Sequence, residues 1–295
     1  MHLEGGMAEQ KVHSYPVFVM CGEDPRRRKM MAVLDPEGKY KSKALLPFLG
    51  RRLIDWQLEE LRRSPYAADL YLIGLGAEDA AFDFPVHYVP VASNAPFADK
   101  LAAGLDYLEV QGENPDLIVI SSCDTPGIRT AEINAFFEAL AACGGVEFAI
   151  SLVPEDVIEA EFPGSGRVVA RFRDGPVIPG ELYALSPRAI RVGGEVIREL
   201  SQRRRQIDRQ KRKIGMGPIL RFVARRPRTW GLLAKYALGT ATLADAERGF
   251  GAAFGCPTRG VIISDAGFGM DMDLPEDYAR LEAFVRRTKL GDRVD

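Results

Sequence analysis

Short apolar runs alternate with segments whose apolar residues fall at helical spacing, and this alternation constrains the fold more than any other feature of the chain. Val17-Phe18-Val19-Met20-Cys21, Leu70-Tyr71-Leu72-Ile73, Val86-His87-Tyr88-Val89 and Leu117-Ile118-Val119-Ile120 read as strands. Between them, Leu53, Ile54, Leu58 and Leu61 mark one helix and Leu101, Leu105 and Leu108 another. Ile133, Phe136, Phe137 and Leu140 mark a further helix, with Thr130 as its expected N-cap. A βαβ rhythm of this kind predicts an α/β fold, a mostly parallel sheet with helices on both faces. From Phe148 the pattern changes. Phe148–Leu152, Val168–Phe172 and Leu182–Leu185 read as strands between proline and glycine turns, and long helices are expected from Ser186 to about Phe254. Val261-Ile262-Ile263 returns to strand, and Pro275 opens a final helix carrying Tyr278, Leu281 and Val285.

A chain of 295 residues is long enough for one large domain with a sizeable core. The expected organisation is a loose leader over 1–14, a single domain over 15–295, and a helical, basic insertion at about 187–255. Apolar content of 46% and charged content of 27% are those of an ordinary soluble enzyme. A net charge of −2 gives no reason to expect nucleic acid as a partner. The four cysteines form no CxxC pair and there are only three histidines, which argues against zinc and for a reducing, cytoplasmic setting. The N-terminus lacks the basic-then-apolar pattern of a signal peptide, and the apolar runs are too short to span a bilayer.

Three segments carry candidate chemistry. In Lys43-Ala44-Leu45-Leu46-Pro47-Phe48-Leu49-Gly50 a lysine stands at the mouth of a short apolar run ahead of an amphipathic helix, placed to hold a polyphosphate. Asp124 follows the apolar strand ending in Ser121-Ser122-Cys123, and the C-terminal ends of parallel strands are where open α/β sheets bind ligands. A carboxylate there suits Mg²⁺, which takes hard oxygens from one or two carboxylates and the substrate phosphates. Asp271 or Asp273 offers the second carboxylate. Two acids and a lysine around a triphosphate meet the needs of phosphoryl or nucleotidyl transfer. Each also has a plainer reading: a solvated lysine, an aspartate capping a helix, and Asp273 as the cap of the helix opened by Pro275.

Lys43-Ala44-Leu45-Leu46-Pro47-x-x-Gly50-x-x-Leu53-Ile54 resembles the lysine motif of nucleotidyltransferases with a GT-A-like fold. Cys123-Asp124-Thr125-Pro126 and Asp271-x-Asp273-x-Pro275-Glu276-Asp277 are similar to the metal-aspartate and C-terminal acidic motifs of the molybdenum-cofactor guanylyltransferase-like (MobA-like) branch. The resemblance runs from about Pro16 to Val285. It implies a Rossmann-like three-layer α/β/α fold with a mixed, mostly parallel sheet. It also implies transfer of an NMP from an NTP, GTP or CTP, to a small and often phosphorylated acceptor, with loss of pyrophosphate. Asp124 and Asp271 would hold Mg²⁺, and Lys43 would stabilise charge on the phosphates. Where the family has a glycine pair and then an arginine, this chain has Gly22-Glu23-Asp24-Pro25-Arg26-Arg27-Arg28. Gly22 remains, and the arginine triplet reads either as taking over the phosphate contact, through Arg26 or Arg28, or as a solvated basic loop. Where relatives place glycine-asparagine at a strand start near the acceptor, this chain has Gly180-Glu181, which offers only hydrogen-bond acceptors from its side chain.

Two other readings stand beside this one. A GT-A glycosyltransferase would use Asp271-x-Asp273 to anchor a nucleotide sugar, although that motif lies near the C-terminus and not mid-chain. A degenerate member would bind nucleotide without turnover. Gly74-Leu75-Gly76 lacks a third glycine and follows the second strand, so it reads as a turn. Residues 201–228 are the most basic stretch, with Arg203, Arg204, Arg205, Arg209, Lys211, Arg212 and Lys213. They read as a helical cap with a solvated basic face, as a lid for an anionic acceptor, or as a weak membrane-surface contact that Pro218 and Pro227 would interrupt.

Overall fold

The computed structural model describes residues 13–23, 30–194, 197–198 and 224–291. Its centre is a sheet ordered β10-β7-β9-β6-β1-β4-β5, with β8 added alongside β9. The strands are β1 (Tyr15–Met20), β4 (Ala67–Ile73), β5 (His87–Val89), β6 (Ile118–Ser122), β7 (Phe148–Pro154), β8 (Ala170–Phe172), β9 (Gly175–Leu185) and β10 (Thr258–Ile262). β1 runs parallel to both β4 and β6, β4 to β5, and β7 to β10. β9 runs antiparallel between β6 and β7, which makes the sheet mixed.

The strand sequences are apolar at successive positions because both faces are covered. On one face Val17, Val19, Leu72 and Val119 pack with α2 (Leu53–Arg63), α4 (Thr130–Ala142) and α8 (Pro275–Val285). On the other, Phe18, Tyr71, Ile73, Ile118 and Ile120 pack with Leu101, Leu105 and Leu108 of α3 (Phe97–Val110). The period-two split between the clusters follows from the pleat, which sends alternate side chains to opposite faces. The shorter helices are α1 (Met30–Leu34) and α5 (Glu155–Glu161). Between β9 and β10 the described residues are helical at 187–194, in α6 (Trp230–Ala237) and in α7 (Leu243–Phe254). No helix among the described residues is long and apolar enough to cross a membrane.

Two local expectations are corrected, and the plainer reading of Asp273 as a helix cap is set aside. Thr130 is the first residue of α4 and not its cap. Its N–H and hydroxyl both donate to the Glu60 carboxylate, at 2.8 and 2.6 Å, so a side chain from α2 does the capping. Gly180 and Glu181 lie inside β9, not at a strand start, at a register shift where β7 pairing passes from Tyr183 to Pro179. The cap of α8 is also different. Leu274 holds the N-cap position, and the Asp277 carboxylate accepts from the Leu274 and Asp273 N–H groups at 2.7 and 3.2 Å, which leaves the Asp273 side chain free of that duty.

Candidate active site

The parallel ladder between β1 and β6 ends at Met20 opposite Ser122. Gly22 and Asp124 therefore leave the sheet side by side at its C-terminal edge. Ser42 joins Gly22 to the lysine segment. Its hydroxyl donates to the Gly22 carbonyl at 3.0 Å and accepts from the Ala44 N–H at 3.3 Å, capping the single 3₁₀ turn Lys43–Leu45. Beyond it, β2 (Pro47–Phe48) and β3 (Arg51–Arg52) form a two-residue hairpin. Leu49 and Gly50 at its tip have φ of 50° and 76°, the left-handed pair of a type I′ turn, and glycine is the residue that takes the second position without strain. The Leu53 N–H donates to the Leu46 carbonyl (2.9 Å) and the Trp56 indole to the Phe48 carbonyl (3.0 Å), which fixes the hairpin to α2.

This frame aims Lys43 at two carboxylates. Its ammonium lies 2.6 Å from Asp124 Oδ2 and 2.6 Å from Asp273 Oδ1. Asp124 is further tied through its carbonyl, which accepts from the Met272 N–H at 2.9 Å. Asp271 is buried and ion-paired to Arg167, whose guanidinium also reaches the Asp271 carbonyl at 3.2 Å. Carboxylate oxygens of Asp124, Asp271 and Asp273 all lie within 4.8 Å of one another.

Burial opposes the charge on Lys43, but Asp124, Asp273 and Asp271 outweigh it and hold the ammonium well above its ordinary pKa. Burial also raises the Asp124 carboxyl, helped by its acidic neighbours and resisted by Lys43. Arg167 is driven the same way as Lys43: burial is outweighed by Asp271, Glu181 and Asp277. Three carboxylates thus share two half-buried cations. The donor set is all hard oxygen, with no thiol or imidazole among the three, and it has the charge and spacing to hold a divalent metal ion.

The structure brings Gly22, Lys43, Asp124, Asp271 and Asp273 together. A Cβ on Gly22 would stand 2.9 Å from the buried Lys100 ammonium, so a side chain there would have to displace that lysine. Glu181 sits close enough to Arg167 to raise its pKa. A Cβ on Gly180 would overlap the Ser151 hydroxyl, which accounts for that glycine by packing alone. Arg26 and Arg28 lie outside the described residues, as does the basic stretch 199–223. Reading the sequence missed Arg167, Ser42 and Gln57. Arg167 follows Gly164-Ser165-Gly166 with no pattern around it. Gln57 did carry a signal, a polar residue on the apolar stripe of Leu53, Ile54, Leu58 and Leu61.

The model of the MobA-like NTP transferase domain matches residues 17–186, more than half the chain. The chain belongs to the MobA-like NTP transferase domain family. The matched region holds Lys43 and Asp124, while Asp271 and Asp273 come from beyond it. Membership places the protein among NTP-using nucleotidyltransferases. No curated protein matches the sequence. Among solved structures, a hypothetical transferase from Thermus thermophilus is similar at 21% identity and a TM-score of 0.62, covering 90% of this chain and 99% of its own. A CMP:2-keto-3-deoxy-manno-octonic acid synthetase complexed with CTP is similar at 13% identity and a TM-score of 0.51, covering 93% and 99%. At those identities the likeness supports the fold: a MobA-like, Rossmann-like nucleotidyltransferase sheet with its covering helices.

Proposed function

We propose that the protein transfers an NMP from an NTP, GTP or CTP, to a small anionic acceptor in the cytoplasm, releasing pyrophosphate. The observation that carries this reading is the Lys43 ammonium set between Asp124 and Asp273 with Asp271 beside them. On this reading the single unit is residues 15–295, and the segment at about 187–255 is an insertion in it.

Asp124 and Asp271 would hold Mg²⁺, with Asp273 turned to Lys43. Bound there, the ion would neutralise the triphosphate and make the α-phosphorus a better electrophile. The Gly22 loop, with Arg26 or Arg28, receives the phosphates. Lys43, already charged, moves from the carboxylates to the α-phosphate and the leaving group. The acceptor lies toward Gly180 and Glu181. Its anionic oxygen forms the new bond to the α-phosphorus as the bond to pyrophosphate breaks. A phosphomonoester oxygen is already deprotonated near neutral pH, so no general base is required, in keeping with a site built without histidine.

The CTP of the synthetase structure supports a ribonucleoside triphosphate as donor. The test is thermal-shift screening against the four NTPs with and without Mg²⁺, repeated with Asp124→Asn. One nucleotide is expected to raise Tm by several degrees only with Mg²⁺, and the variant to abolish the rise. No shift with any NTP would overturn the reading.

A further inference from the structure

We infer that Gln57 is the positioning residue that sets the Asp124 carboxylate in place; this rests on the proposed metal-dependent transfer. The β6 ladder stops short of Asp124, with its last pairs at Ser122 opposite Met20 and Ser121 opposite Leu182. The loop that follows has left the sheet, and the neighbouring strands no longer hold it. Gln57 does so from α2. Its side-chain amide donates to the Ser121 hydroxyl and to the Ser122 carbonyl (2.5 Å), and its carbonyl accepts from the Thr125 N–H (3.4 Å). These contacts bracket Asp124 on both sides. The Ser122 and Thr125 hydroxyls, 2.6 Å apart, close the same loop.

Gln57 is fully buried, where a polar side chain is costly unless its hydrogen bonds are made. It stands on the apolar stripe of α2 between Ile54 and Leu58, both also fully buried. A leucine or methionine there would suit the helix as well, so the amide is explained by the loop it holds. The same helix is tied at its start to the lysine hairpin through Leu53 and Trp56. Gln57 therefore joins the element that aims Lys43 to the loop that presents Asp124, two residues far apart in sequence that meet at 2.6 Å. Partners that orient a metal-binding carboxylate are worth roughly 10- to 100-fold in affinity or activity.

The test uses the full chain and Mn²⁺ as the probe, with bound metal counted by electron paramagnetic resonance in the presence of the NTP selected above. Gln57→Met keeps the volume and removes the amide. It is expected to weaken Mn²⁺ binding by roughly 10- to 100-fold. A core variant of equal Tm, such as Leu140→Ala, is expected to leave binding unchanged, which separates positioning from general destabilisation. In an Asp124→Asn background the Gln57→Met effect should disappear, because it acts through that carboxylate. Should Gln57→Met fail to fold, Ser121→Ala removes one of the bonds and is expected to weaken binding by about threefold. Wild-type affinity in Gln57→Met, or in Ser121→Ala where that variant stands in, overturns the inference. Wild-type protein that binds no Mn²⁺ with any NTP overturns the transferase reading and the inference with it.

Discussion

Lys43 occupies the carboxylates that a divalent cation would need, and this sets what single substitutions should do. On the proposed reading, the ammonium and a metal ion compete for Asp124 in the free protein. Lys43→Met is therefore expected to raise Mn²⁺ affinity by about tenfold without nucleotide, the worth of one charged hydrogen bond. The same change should weaken NTP affinity, since the phosphates lose their cation. Isothermal titration with each ligand alone would check both directions; a fall in Mn²⁺ affinity would contradict the competition. Asp124 was legible because its strand-end position and residue type already imply chemistry, and Lys43 and Asp271 because their segments resemble the family's motifs. Arg167 was not, because an arginine in a glycine loop has no neighbours in sequence that say where its guanidinium goes.

Elements are held together here by buried polar side chains, and two of those contacts make measurable predictions. Within β9, Gly180 packs against Ser151, whose hydroxyl is fixed by bonds to the Leu182 carbonyl (2.9 Å) and N–H (3.2 Å). Gly180→Ala should cost about 1–3 kcal/mol in urea denaturation, as overpacking does. At the C-terminus, Lys289 follows α8 and is buried against α2. Its ammonium donates to the Trp56 carbonyl (3.3 Å) and pairs with Glu60 (3.4 Å). Burial brings its pKa down to about 8 from 10.5, against the pull of Glu60, Glu132 and Glu59. Below about pH 8 both folded and unfolded chains carry this proton, and the burial cost is present in full. Between about 8 and 10.5 the folded chain releases it first, so the unfolded state binds more protons and stability rises with pH. Relative to Lys289→Met, the wild type should gain on the order of 3 kcal/mol across that interval. Urea titrations of both proteins at pH 7.5 and 10.5 would measure it.

For the whole molecule, the acid cluster is already compensated by Lys43 and Arg167, so the fold does not depend on metal to neutralise it. Chelation with EDTA is expected to leave Tm unchanged in the absence of nucleotide. With Mg²⁺ and NTP at about 100 times Kd, linkage adds about 2.7 kcal/mol, or roughly 4 °C for a chain of 295 residues. Differential scanning fluorimetry checks both. The βαβ order, the mostly parallel sheet, the lysine segment and the strand-end aspartate were all determined by the sequence alone. They rest on local periodicity and on where a residue stands relative to its own strand, and both are readable within about a dozen positions. Tertiary structure decided the rest. Glu60 caps a helix that Thr130 was expected to cap, Asp277 takes the capping role that was the plainer reading of Asp273, and Arg167 and Gln57 reach the site from segments with no motif. The reason is physical: buried polar groups must find partners, and those partners are chosen by proximity in space, which residue spacing along the chain does not encode.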